Sequence, residues 1–322
     1  MKVVFFGSPR AAIPSLIKIL QEGHNVGLVV TQPDRRSGRG KKLGPPPIKT
    51  LALEHRIPLI QPQNIRKDPA VLDELKSTQP DINVVVAYGQ IIPPAVIYFP
   101  PGNSINLHFS LLPRYRGASP VQWAILNGEK TTGLTVFTLN EKMDEGDILT
   151  QQKVDILSGE SANRLEDRLA EKGAELLAAT LNRIKEIEPR PQDHSRATYA
   201  PRIRKEDGLL DWSRGADFIE RQIRAFTPWP SSYTYLGGKR IKILSGQYES
   251  AQNLPFQPGE IAKAEKSGIH VMCGDGNIFR IELLQPENKA KMSAYSFSLG
   301  ANIQSGTAFE MPDPSRIIHK SR

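Results

Sequence analysis

Short apolar runs recur along the first half of the chain, and stretches with helical period separate them. KVVFFG at 2–7, HNVGLVVTQ at 24–32 and INVVVAYG at 82–89 are too short for buried helices. They are also too uniformly apolar for strands with one wet face. A strand buried on both faces needs helices above and below it. Helical stretches at 11–22, 48–55, 68–77, 119–128 and 161–187 supply them, and PLIQP, 103–110 and 132–140 add further strands. The alternation predicts an α/β fold with a Rossmann-like, doubly wound, mostly parallel sheet.

The texture changes near residue 188. EPRPQDHSRATYAPRIRK carries proline and charge without a sustained period, and 190–205 is expected to be a linker between a first domain, 1–189, and a second, 206–322. Beyond it a helix within 209–226 precedes SYTYL, KRIKILSGQY, GEIAKA, GIHVMCG and NIFRIELLQP, with glycines between them. That pattern predicts a small antiparallel, OB-like β-barrel.

At 322 residues the chain is long enough for two cores. Its one cysteine, Cys273, permits no internal disulfide and no cysteine zinc site, which fits a reducing cytosol. MKVVFFGSPR is too short for a secretion signal, and no apolar run nears the roughly 20 residues that span a bilayer. The net charge of +8 favours a polyanionic partner without proving one.

One loop is too long for its place. Loops after a strand in α/β units usually run about 2–6 residues. QPDRRSGRGKKLGPPPIK, at 32–49, far exceeds that and carries Arg35, Arg36, Arg39, Lys41 and Lys42 among glycines. It is either a solvated insertion or an arm that orders against nucleic-acid phosphates. The turn after the first strand reads GSP, not G-x-G-x-x-G, so the sheet does not imply NAD.

NSINLHFSLLPRYRGASP, at 103–120, places Asn106 and His108 two apart, on one face of a strand near its carboxyl end. Ligands bind at such ends. Downstream, LNEKMDEGDI holds Asp144, Glu145 and Asp147 around Gly146, and a turn there can aim a carboxylate at His108. Plainer readings stand beside this one. The histidine can be structural and the acidic loop merely solvated. D-E-G-D lacks calcium-loop spacing, and Ser110 lacks the G-x-S-x-G elbow of a serine hydrolase.

INLHFSLLPRYRGASPVQWAI resembles the signature of the 10-formyltetrahydrofolate-dependent formyltransferases, with Asn106 and His108 on its Asn-x-His pair and Asp144 on its later aspartate. VVVAYGQIIP resembles the family's folate-lining segment, which implies a donor pocket at Val86, Tyr88 and Gln90, shaped also by Ser110, Leu111, Leu112 and Pro113. TQPDRRSGRGKKL resembles the basic loop of the members that formylate methionyl-tRNA, while IRAFTPWP and PENKAKMSA resemble motifs of their C-terminal domain. Phe109 departs from the motif, where glycine is usual, and is expected to alter packing only.

The resemblance implies formyl transfer from 10-formyltetrahydrofolate to the amino group of initiator methionyl-tRNA, by a cytoplasmic monomer without metal, NAD or membrane. Asn106 and protonated His108 would donate to the oxyanion, and Asp144 would orient His108 and relay a proton. Arg35, Arg36, Arg39, Lys41 and Lys42 would grip the acceptor stem. Lys239, Arg240, Lys289 and Lys291 would offer further RNA contacts. A sugar-nucleotide N-formyltransferase would share this core but not the basic loop. A formyltetrahydrofolate hydrolase and an RNA-binding protein with an inactive core are the other readings.

Overall fold

The computed structural model describes residues 1–37, 42–251 and 254–311. They form two compact units. Met1–Pro120, Thr131–Asp155 and Glu166–Tyr199 make the first, and Val121–Lys130, Ile156–Leu165 and the residues from Ala200 onward make the second.

In chain order the elements of the first half are β1 (Lys2–Gly7), α1 (Ile13–Gln21), β2 (Asn25–Val30), β3 (Arg35–Ser37), β4 (Lys42–Gly44), α2 (Pro47–Glu54), β5 (Leu59–Ile60) and α3 (Ala70–Thr78). There follow β6 (Ile82–Val86), α4 (Pro94–Ile97), β7 (Ser104–His108), α5 (Pro120–Leu126), β8 (Thr131–Thr138), β9 (Ile148–Asp155) and α6 (Ala162–Asn182). The first unit's main sheet has the order β5-β2-β1-β6-β7-β8-β9. Pairing is parallel from β5 through β7 and antiparallel from β7 to β9, so the sheet is Rossmann-like and mostly parallel, as the alternation predicts.

Val3, Val4, Phe5 and Phe6 of β1 are all fully buried, which requires cover on both faces. One face packs Val4, Phe6, Leu28, Val30, Val85 and Tyr88 against Val71 and Leu75 of α3 and Val96 of α4. On α6, a Cβ at Gly173 would come 2.8 Å from Leu107 of β7, so the small residue lets that helix approach the sheet.

The sequence pattern did not reveal β9, whose Gln151, Gln152 and Lys153 are exposed on the edge of the sheet. Nor did it reveal the β3–β4 hairpin inside the basic loop. Helix α6 stops at Asn182 and not at 187. Beyond it the backbone turns to i→i−3 bonds, with Arg183 and Glu186 donating to Thr180 and Arg183. The proline-rich stretch expected as a linker is held by backbone bonds: Arg190 and Ile148 exchange a pair at 2.8 and 2.9 Å, and Arg116 donates to Thr198.

In the second unit, α7 (Ala216–Ala225) precedes β10 (Ser232–Leu236), β11 (Lys239–Glu249), β12 (Ile261–Glu265), β13 (Gly268–Met272), β14 (Ile278–Pro286), β15 (Met292–Ser293) and α8 (Ala294–Gly300). The sheet is antiparallel throughout, in the order β10-β11-β14-β13-β12 with β15 on β14, an OB-like arrangement. Its core centres on fully buried Trp212, which stacks on Phe309 and donates its indole N–H to Thr234 at 3.1 Å. Among the described residues no helix is long and apolar enough to cross a membrane.

Candidate active site

In an open α/β sheet, ligands bind beyond the carboxyl ends of the strands, where the strand order reverses. Here β2 lies to one side of β1 and β6 to the other, so the reversal falls between β1 and β6. The two strand ends are tied together. Ser8 Oγ donates to the Tyr88 carbonyl at 3.2 Å, and Gln32 Nε2 donates to the same oxygen at 3.0 Å. β7 is the next strand beyond β6, and it ends in His108.

Asn106 pairs with Val85 on one side and Phe137 on the other and is half-buried. Its side-chain amide makes no hydrogen bond among the described residues. Two residues on, the His108 ring is buried edge-on to Phe137. Its Nε2 meets the Tyr115 carbonyl at 2.9 Å. A carbonyl only accepts, so Nε2 carries the hydrogen, and Nδ1 is the nitrogen left for chemistry. Nδ1 lies 3.8 Å from Asp144 Oδ2, the expected carboxylate. That separation is an ion-pair distance and too long for a direct hydrogen bond.

Asp144 reaches this position through an unusual backbone. Its φ is 54°, in the left-handed region that non-glycine residues adopt at a cost. The Gly117 amide donates to Oδ2 at 2.7 Å. Gly146 is needed for closeness, since a Cβ there would sit 1.6 Å from the Thr138 carbonyl oxygen. The loop therefore folds back tightly on β8.

The 110–113 turn is pinned from below. Thr135 Oγ1 donates to the Ser110 carbonyl at 2.7 Å and accepts from the Leu112 amide at 3.1 Å, and Gln151 Nε2 donates to the Leu112 carbonyl at 2.9 Å. Leu112–Pro113 is a cis peptide. Ser110 Oγ donates to the Arg114 carbonyl at 2.6 Å and not to His108, which leaves it no role as a histidine-activated nucleophile. Phe109 is buried, in keeping with a packing role.

The structure places the other expected residues as follows. Val86 and Tyr88 are buried, and the Tyr88 ring lies in the core edge-on to Phe6. Burial pushes the Tyr88 phenol upward. Gln90 braces the chain at 62–65, accepting from the Ile65 amide and donating to the Pro62 carbonyl. Arg35 donates to Gln32, and the backbones of Arg36 and Lys42 belong to the β3–β4 hairpin. Arg39 and Lys41 lie outside the described residues. At the hairpin's base, Lys49 bonds both Asp34 oxygens at 2.8 and 2.9 Å. The bond from Gln61, then that from Lys49, hold the Asp34 carboxyl below its usual range.

The sequence reading missed Arg116, Thr135 and Gln192. Arg116 stood in view in PRYRG, but nothing marked it as 1% exposed. Gln192 lies in the stretch expected as a linker and gave no signal.

Residues 1–181 match the formyl transferase family model, and 202–302 match that of the formyl transferase C-terminal domain. The chain is 46% identical over 325 aligned positions to the methionyl-tRNA formyltransferase of Synechococcus sp., covering 98% of this chain and all of that one. It is 43% identical over 317 residues to the methionyl-tRNA formyltransferase of Citrifermentans bemidjiense, covering 98% of each. The fold is similar to the crystal structure of an N-formyltransferase from Helicobacter canadensis in complex with folinic acid and dTDP-3-aminofucose, with a TM-score of 0.65, 20% identity, and 89% and 99% of the two chains covered.

Proposed function

Because the chain belongs to the methionyl-tRNA formyltransferase family, we propose that it moves a formyl group from 10-formyltetrahydrofolate to the free amine of initiator methionyl-tRNA. The observation that carries this reading is similarity along the whole chain, basic hairpin and second unit included. The folate supplies an activated formyl group, and the protein's residues place and assist the transfer.

Asn106 Nδ2 donates to the formyl oxygen as that oxygen gains negative charge during attack by the amine. One such donor is worth about 10²–10³ in rate. His108, fixed through Nε2 to Tyr115, presents Nδ1 to the same centre. Asp144, 3.8 Å from Nδ1, orients the charged form of that ring and takes the amine's proton through water. As the tetrahedral centre collapses, the bond from the formyl carbon to the folate nitrogen breaks, and that proton passes to the leaving nitrogen. Positioned acid–base help of this kind contributes about 10²–10⁴. The pinned backbone of Ser110, Leu111, Leu112 and Pro113, with that of Val86, Tyr88 and Gln90, shapes the donor site.

The phosphates of the acceptor stem are held by Arg35, Arg36, Arg39, Lys41 and Lys42. The chemistry belongs to 1–189 and an RNA-binding surface to 206–322, with 190–205 joining them. The chain acts as a cytoplasmic monomer and uses neither metal nor NAD.

The test offers labelled 10-formyltetrahydrofolate to charged initiator tRNA, with a dTDP-amino sugar and water as competitors. Label on methionyl-tRNA supports the proposal. Label on the sugar, or release as formate, would redirect the substrate assignment while keeping the site.

A further inference from the structure

Asp144 is held in a costly backbone conformation, yet its carboxylate makes only one hydrogen bond among the described residues, from Gly117. Something else must keep the loop in place. The answer lies beneath it, in a buried cluster that the transfer chemistry does not use.

Gln192 is 5% exposed. Its Nε2 donates to the carbonyls of Asp144, at 2.9 Å, and Gly146, at 2.7 Å. Its Oε1 accepts twice from Arg116, from Nε at 3.1 Å and from one terminal nitrogen at 2.7 Å. Chemistry forces this orientation of the amide. Carbonyls cannot donate and a guanidinium cannot accept, so the flipped amide would lose all four bonds. The other terminal nitrogen of Arg116 pairs with Glu145 at 3.2 Å. Asp144 itself and the two residues after it are thus tied, directly or through one amide, to one buried arginine. The arginine's own amide is anchored on Thr198 at 2.8 Å.

We propose that Gln192 and Arg116 are positioning residues for the transfer reaction: they hold the 144–146 loop so that the Asp144 carboxylate faces His108. This rests on the role proposed above for Asp144. Arg116 acts through Gln192 and Glu145, and neither Arg116 nor Gln192 touches a reacting atom.

The test uses the full chain. Gln192→Met keeps the side chain's length and removes all its hydrogen bonds. Gln192→Glu keeps an acceptor for Arg116 and loses both donors to the loop. Both are expected to lower kcat for formyl transfer by about 10–100-fold, as a misplacement near 1 Å would, while KM for either substrate changes less than threefold. Arg116→Lys retains the charge beside Glu145 but loses the fork, and is expected to fall between wild type and Gln192→Met. Melting temperature is read for each variant, and a crystal structure of Gln192→Glu is expected to show the Asp144 carboxylate displaced from His108.

A wild-type kcat in either folded Gln192 variant would overturn the proposal. So would a loss confined to melting temperature or KM. Should both Gln192 variants fail to fold, Arg116→Lys decides on the same readouts. Wild-type enzyme is assayed first with all three acceptors. Transfer to an acceptor other than methionyl-tRNA would sink the substrate assignment alone, and the variants would then be judged on that acceptor.

Discussion

Gly146→Ala puts the tightness of the acidic loop to a quantitative test. Gly146 is not among the residues with positive φ, so alanine's backbone preference is no obstacle. The obstacle is space. The added Cβ would sit 1.6 Å from the Thr138 carbonyl oxygen, whereas real Cβ atoms essentially never approach a neighbour below 3.0 Å. The loop must retreat by about 1.4 Å, because the carbonyl it meets belongs to the last residue of β8, a strand paired on both sides. Overpacking of this sort costs about 1–3 kcal/mol. Asp144 lies two residues away and must move with the loop. A misplacement near 1 Å in a catalytic group costs about 10²-fold in rate. The expected result is a folded protein, destabilised by roughly 2 kcal/mol, with kcat for formyl transfer lowered about 100-fold and donor KM little changed. Chemical denaturation gives the first number and steady-state transfer the second. A variant of wild-type kcat would refute the idea that the loop's approach to β8 aims Asp144.

His108→Ala and Asp144→Ala are each expected to abolish measurable transfer with the circular dichroism spectrum intact; retained activity in either would remove that residue from the chemistry. Arg39→Ala with Lys41→Ala should flatten the salt dependence of tRNA use by about 0.7–0.9 in log–log slope for each phosphate no longer neutralised, and an unchanged slope would count against the arm. Burial, then the nearby Asp275 carboxylate, push the Cys273 thiol up to about 12 from 9.0. Native protein at pH 8 should therefore resist alkylation that proceeds fully in denaturant. Because the folded thiol holds its proton more tightly than the unfolded one, its contribution to stability is complete below about pH 9 and is lost as pH climbs towards 12. Unfolding midpoints between about pH 8 and pH 10.5 should fall faster in wild type than in Cys273→Ala, and parallel curves would contradict this.

The sheet was legible in the sequence because fully buried strands have a local signature. KVVFFG and INVVV must be covered on both faces, and only helices on each side of a parallel sheet do that economically. Asn106 and His108 were legible for a similar reason, since the two-residue strand period puts them on one face whatever the rest of the chain does. What a residue meets at long range had no such signature. β9 hid because ILTQQKVD is an edge strand whose middle faces water, and its pairing depends on β8. Tyr88 looked like a pocket residue, but its ring is taken up by the core, edge-on to Phe6. Arg116 and Gln192 are 76 positions apart, and each looks on its own like an ordinary exposed polar residue. The local order of residues determines which strand carries the histidine. Burial of one arginine and one amide beneath a left-handed aspartate, an arrangement that only the folded chain can make, decides where the carboxylate points.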